Sequence, residues 1–151
     1  KRDSAYAVSV LSIGRGGKKP RKDIATWKDV RPYMSSFYDE LFRAEDAIPD
    51  SFDVELVRSV LTEFAAEYDA SDPQDVWFGK VRLVGERHGF CPDMKAYRAS
   101  PESFRGSVAD VSMFLRVAVT GRLNSPDLYE VMRIIGSERT VERLKNAAER
   151  I

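Results

Sequence analysis

From Asp53 onward, apolar residues fall at Val54, Val57, Val60/Leu61, Phe64 and Tyr68, with Glu55, Arg58, Glu63 and Glu67 between them. Spacing of three and four predicts an amphipathic helix with one buried stripe. The same period returns in Val76, Trp77, Val81 and Val84, and in Val111, Phe114, Leu115, Ala118 and Val119. It recurs in Leu128, Val131, Met132 and Ile135, and in Val141, Leu144 and Ala148. Residues 4–13 are small and apolar and fit either a buried helix or a strand.

Turn and cap residues divide these stripes. Gly14-Arg15-Gly16-Gly17-Lys18-Lys19-Pro20 breaks whatever precedes it. Thr26-Trp27-Lys28-Asp29 has the spacing of a capping box, with Asp in place of Glu, and opens a short helix toward Met34. Pro32 is expected within its first turns, where a missing N–H costs least. Ser36–Phe42 reads as a further amphipathic turn or two, and Ile48-Pro49-Asp50-Ser51 as a stop and restart. Ser71-Asp72-Pro73 supplies a cap and a Pro for the helix that ends at Gly89. Ser125-Pro126-Asp127 predicts a helix start, with Ser125 as N-cap and Pro126 in the first helical position. Gly136 ends that helix and Ser137-Glu138 opens the last. Residues 90–106 look irregular, and no strand pair, hairpin turn or internal repeat stands out. The fold class expected is all-α, of about six to eight short helices.

Composition narrows the function classes. At 151 residues, 43% hydrophobic and 32% charged, the chain suits one ordinary domain or two small subdomains sharing a core. No apolar run approaches the roughly 20 residues of a membrane span. A lone cysteine, Cys91, and a lone histidine, His88, exclude a disulfide framework, a multi-Cys zinc site and a His-rich metal site. The start at Lys1-Arg2, without Met or a signal-like stretch, reads as an intracellular, cytoplasmic fragment of something longer. There is no P-loop, Gly-x-Gly-x-x-Gly, Cys-x-x-Cys or Gly-x-Ser-x-Gly. Neither a catalytic residue nor a metal site is assigned, and the chain reads as a binding module.

Net charge is zero, but it is unevenly laid out. Residues 1–22 hold seven basic groups and one acidic, residues 39–75 twelve acidic and two basic, and residues 76–151 thirteen basic and nine acidic. Such blocks fit a polyanion-facing surface built from both ends of the chain, with an acidic flank turned away. Tail-like asymmetry is the plainer alternative.

Three stretches follow one another at fixed spacing: Phe114-Leu115-Arg116-Val117-Ala118-Val119-Thr120-Gly121-Arg122, then Ser125-Pro126-Asp127-Leu128-Tyr129-Glu130-Val131-Met132, then Ile135-Gly136-Ser137-Glu138-Arg139 with Arg143-Leu144. Together they resemble the C-terminal end of bacterial glutamyl-tRNA synthetases. Upstream, Lys19-Pro20-Arg21-Lys22-Asp23-Ile24-Ala25 with Trp27, and Phe37-Tyr38-Asp39-Glu40-Leu41-Phe42, resemble the preceding helical segment of those enzymes. The resemblance spans most of residues 19–151.

It implies the anticodon-binding cage of a class I aminoacyl-tRNA synthetase, made of two small helical subdomains. Residues 1–46 would form the first, toward the stem and the first anticodon base, and residues 47–151 the second. The catalytic domain that uses ATP and Mg to join glutamate to tRNA has no counterpart here, so no cofactor is expected in this stretch. The implied partner is tRNA-Glu, with tRNA-Gln added if the parent is non-discriminating, the type to which the C-terminal stretch points. DNA and membrane are not expected partners, and a monomer is expected.

By position, the resemblance gives Arg116, Ser125, Pro126 and Leu128 to the unstacked anticodon bases. Such bases are read on their edges by Arg and by backbone groups, with apolar side chains against their faces. For Arg116, a buried carboxylate such as Asp110 is the competing partner; for Leu128 the alternative is core packing, and for Ser125 and Pro126 simple capping. Candidates for tRNA backbone phosphates are Arg122, Lys95, Arg98, Arg105, Lys18, Lys19, Arg21 and Lys22, each of which also fits a solvated charge. A second function class remains open: a helical protein–protein interaction module that uses the acidic face of residues 39–75.

Overall fold

The computed structural model describes residues 4–16, 18 and 24–151. Among them the helices are α1 (Ser4–Leu11), α2 (Trp27–Met34), α3 (Val54–Glu67), α4 (Gln74–Arg87), α5 (Met94–Ala99), α6 (Val108–Thr120), α7 (Leu128–Ile135) and α8 (Ser137–Arg150). The fold is all-α, and residues 4–13 resolve to a helix running as far as Leu11. Residues 90–106 are more ordered than expected. They hold α5, a 3₁₀ turn at Pro101–Ser103, and two-residue strands β1 (Phe90–Cys91) and β2 (Gly106–Ser107) paired in parallel. Strands this short leave no alternation to read. The pairing depends on Gly106, where a Cβ would lie 2.9 Å from the Phe90 ring and 2.7 Å from Asp110 Oδ2.

The predicted capping box holds: Asp29 Oδ2 accepts from Thr26 N at 2.8 Å and from Thr26 Oγ1 at 3.1 Å. Pro32, however, lies inside α2 beyond its first turn, and the helix ends two residues later at Met34. Two other cap assignments need correcting. The α4 N-cap is Pro73; Ser71 is held by Asp69 at 2.7 Å, while Asp72 pairs with Lys80. The α7 N-cap is Asp127, which accepts from Glu130 N at 3.0 Å, so Pro126 sits before the helix and Ser125 is left for another task.

The apolar stripes meet in one core. Val57, Val60, Leu61 and Phe64 of α3 pack with Val81 and Val84 of α4, Val111, Phe114 and Leu115 of α6, Val131 and Met132 of α7, and Leu144 of α8. Phe114 sits edge-on to Phe52 at 4.8 Å and to Phe90 at 5.6 Å between ring centres. None of these helices is long enough to be stable alone, so packing of the stripes holds them. Phe37, in the turns after α2, is fully buried in the same core.

The chain passes from α2 to α3 across the end of α6. Gly121 caps α6 at φ +72°, and its carbonyl accepts from Glu45 N and Asp46 N, both at 2.9 Å. A Cβ there would lie 2.3 Å from Arg43 O, a main-chain atom that cannot swing aside. Only glycine meets both demands. This crossing brings α2 against the loop that follows α6.

Candidate nucleic-acid interface

The loop from Thr120 to Asp127 is held from within. Arg116, on the last half of α6, donates through NH1 to Ser125 Oγ at 2.6 Å, to Pro126 O at 3.2 Å and to Ser125 O at 3.3 Å. Ser125 Oγ donates onward to Pro126 O at 2.8 Å, and Thr120 Oγ1 accepts from Arg122 N at 3.2 Å. Leu123 N donates to Asp46 Oδ2 at 2.7 Å. Asp110 is not the partner of Arg116. It serves the N-terminus of α6, accepting from Ser107 N at 2.7 Å.

Against this loop stands α2. Asp29, Pro32, Tyr33 and Ser36 form one wall, and Arg122, Asn124, Ser125 and Pro126 the other, around an open groove of about 190 Å³. Arg122 pairs with Glu45 at 2.9 Å, while its Nε–H is buried without a hydrogen-bond partner among the described residues. Hydrogen bonds from the Thr26 backbone and hydroxyl hold the Asp29 carboxyl below its ordinary value. The groove therefore has one anionic wall and one cationic wall.

The predicted site residues separate by position. Arg116, Ser125, Pro126 and Arg122 come together at or behind the groove. Leu128, only 3% exposed, belongs to the core and does not line it. Lys95, Arg98 and Arg105 lie exposed on α5 and just before β2, and make no ion pair among the described residues. Lys18 is exposed, and Lys19, Arg21 and Lys22 lie outside the described residues. Asp29, Tyr33, Ser36 and Asn124 were missed. The three from α2 and its following turn stand some 90 residues before the loop, and nothing in their own pattern points to it.

Arg143 and Arg139 of the resembling stretch do structural work. Arg143, 6% exposed, donates to Ser36 O, to Val119 O at 2.9 Å and to Asp39 Oδ1 at 2.8 Å, and lies 4.4 Å from the Phe42 ring centre. Burial pushes its pKa down, against the pull of Asp39. Arg139 donates to Ile135 O at 3.0 Å, Phe37 O at 3.2 Å and the Tyr6 hydroxyl at 2.8 Å. Both tie α8 to the segments before residue 43.

The acidic block of residues 39–75 is largely engaged. Arg87 pairs with Glu63 and Glu67, His88 Nε2 lies 2.7 Å from Glu63 Oε2, Lys80 pairs with Asp72, and Arg58 with Glu55. Asp53 caps α3, accepting from Leu56 N at 2.8 Å. Most of these cations lie outside the block in sequence, so a count by segment overstates the free negative face.

Residues 95–148, from α5 to near the end of α8, match the family model described as the anticodon binding domain. The chain is also 44% identical over 149 residues to a glutamate–tRNA ligase of Sorangium cellulosum, covering 95% of this chain and 25% of the relative. A glutamate–tRNA ligase of Acetivibrio thermocellus is 36% identical over 138 residues, covering 91% and 25%, and one of Clostridium perfringens 37% over 145, covering 93% and 26%. Residues 95–148 are thus similar to an anticodon binding domain, and the chain is similar along most of its length to glutamate–tRNA ligases. It spans about a quarter of the length of the curated relatives it matches. The matched anticodon-binding domain contributes one wall of the groove, Arg122 to Pro126, and α2 outside it contributes the other. Among the described residues, no helix is long and apolar enough to cross a membrane.

Proposed function

We propose that this chain binds the anticodon loop of tRNA-Glu and serves as the anticodon-reading part of a glutamate–tRNA ligase. On this reading the chain alone activates no glutamate, and ATP and Mg act in a catalytic part that it does not supply. The observation that carries the proposal is the pre-held groove between α2 and residues 122–126, inside a chain related to such ligases. Its two walls of opposite sign suit the mixed donors and acceptors of a base edge better than a phosphate, which Asp29 repels. Ser125 and Pro126 shape one wall, Arg116 holds their geometry, and Asn124 offers polar contacts. Pre-held geometry lowers the ordering cost of binding. Lys95, Arg98, Arg105 and Lys18 are proposed to meet backbone phosphates.

The engaged state of the acidic block weighs against a protein-docking role for residues 39–75. Titration of the chain with transcripts of tRNA-Glu, tRNA-Gln and an unrelated tRNA, over a range of salt, tests the reading. Binding that weakens steeply with salt and prefers tRNA-Glu over the unrelated tRNA is expected. Equal, feeble binding to all three would defeat it, and the tRNA-Gln arm separates the discriminating type from the non-discriminating.

A further inference from the structure

Trp27, the first residue of α2, is 91% exposed, whereas Trp77 is 7% exposed in the core. An indole is a large apolar surface, and leaving it in water forgoes the burial that usually places it inside. Its surroundings are basic. Lys28 is exposed beside it, and Arg31, one helical turn along the same face, is exposed and makes no ion pair among the described residues. Of the nearby carboxylates, Glu45 is paired with Arg122, and Asp29 keeps its charge while accepting from Thr26, so Lys28 and Arg31 leave the surroundings of the indole net positive.

Beyond Arg31 a second groove, of about 250 Å³, runs between α2 and residues 40–45. Pro32 and Arg122 line both grooves, so the two are neighbours across one ridge. We propose that Trp27 is a stacking platform for a second unstacked base of the RNA loop whose neighbouring base enters the Ser125–Pro126 groove, with Arg31 holding a phosphate between them. The proposal rests on the anticodon-loop reading above. Positions four apart on a helix place their Cβ atoms about 5–6 Å from each other, so the ring and the guanidinium act on adjacent parts of one strand. An aromatic face accepts any base, so Trp27 adds affinity without adding sequence preference. The excess of unpaired positive charge around the indole favours a polyanion over a protein surface.

The test uses the chain with an anticodon stem-loop transcript of tRNA-Glu. Trp27→Ala is expected to weaken binding about thirtyfold, the middle of the range for one stacked base, and Trp27→Phe to retain most of the affinity. Neither should move the melting temperature, because the side chain is almost wholly in solvent. On saturation the parent chain should lose fluorescence that the Trp27→Phe chain, with Trp77 alone, does not lose. Parent-like affinity of Trp27→Ala, or equal quenching in the two chains, overturns the platform. If that happens while Arg116→Lys still weakens binding, the anticodon reading survives without it. If the parent chain shows no salt-sensitive binding, both fall.

Discussion

Arg143 on the buried face of α8 and Arg116 on α6 both reach from a helix toward main-chain carbonyls, but they secure different kinds of structure. Arg143 is buried and its partners come from far along the chain: Ser36, 107 residues away, and Val119, 24 away, with Asp39 beside them. Arg116 is half-buried, and it reaches Ser125 and Pro126, nine and ten residues on, in a single turn that faces an open groove. The first joins two parts of the fold; the second shapes one loop. A guanidinium's several fixed donors allow either task, and what separates them is whether the carbonyls it satisfies border solvent.

The largest expected effect comes from breaking the joint. Arg143→Ala leaves two buried carbonyls without donors, so it should cost about 2–5 kcal/mol of stability. Chemical denaturation measures this. The preference of the remaining folded protein for tRNA-Glu over a tRNA with altered anticodon should stay unchanged. A shift in that preference would erase the distinction between the two arginines.

Arg116→Lys comes next. Lysine keeps the charge, but its flexible, strongly hydrated ammonium does not hold the fixed position from which Arg116 NH1 reaches Ser125 and Pro126. Binding to tRNA-Glu should weaken by about 1.5–3 kcal/mol, the range for losing a hydrogen bond made by a charged group. The loss for a tRNA with altered anticodon should be smaller. Equal loss for both RNAs, together with a large drop in melting temperature, would make Arg116 a second structural clamp.

How much of this was legible in the sequence differs between the two arginines' surroundings. The helical stripes of α3, α4, α6, α7 and α8 were readable because a buried face repeats every three to four residues. The Thr26–Asp29 box was readable because its partners are three apart. Ser125 as N-cap was a local rule overridden by tertiary structure, since Arg116 claims its hydroxyl and Asp127 caps instead. The clamp by Arg143, the seat of Arg43 on Gly121, and the α2 wall of the groove are long-range pairings. No local period encodes them.

Acid separates the joints further, with a smaller effect. Arg87, with His88, holds Glu63 below the ordinary carboxylate range, and the Thr26 hydrogen bonds do the same for Asp29. A carboxylate whose folded pKa is depressed contributes stability that is complete above its unfolded value and is lost as pH falls through the folded one. Thermal stability should therefore hold from neutral pH to the ordinary carboxylate range and decline below it. Glu63→Gln should flatten part of that decline. An equally steep decline in the variant would mean the α3–α4 pairing adds nothing.

The smallest effects belong to Lys95, Arg98 and Arg105, which neither join nor shape. Each is exposed, and none has a carboxylate partner among the described residues. A cation of this kind that meets a phosphate releases about one counterion, so replacing it with alanine should reduce the slope of log affinity against log salt by about 0.7–0.9. The loss in affinity should be the same for tRNA-Glu and for a tRNA with altered anticodon, because a phosphate carries no sequence. Melting temperatures should not move, since nothing buried depends on these side chains. Salt titrations of the three single variants against both RNAs make the measurement. A variant that changes preference between the RNAs would show that its side chain reads a base, and would extend the reading surface from the groove to α5. A variant whose salt slope equals the parent's would remove that residue from the interface and narrow the RNA's path to the grooves beside α2.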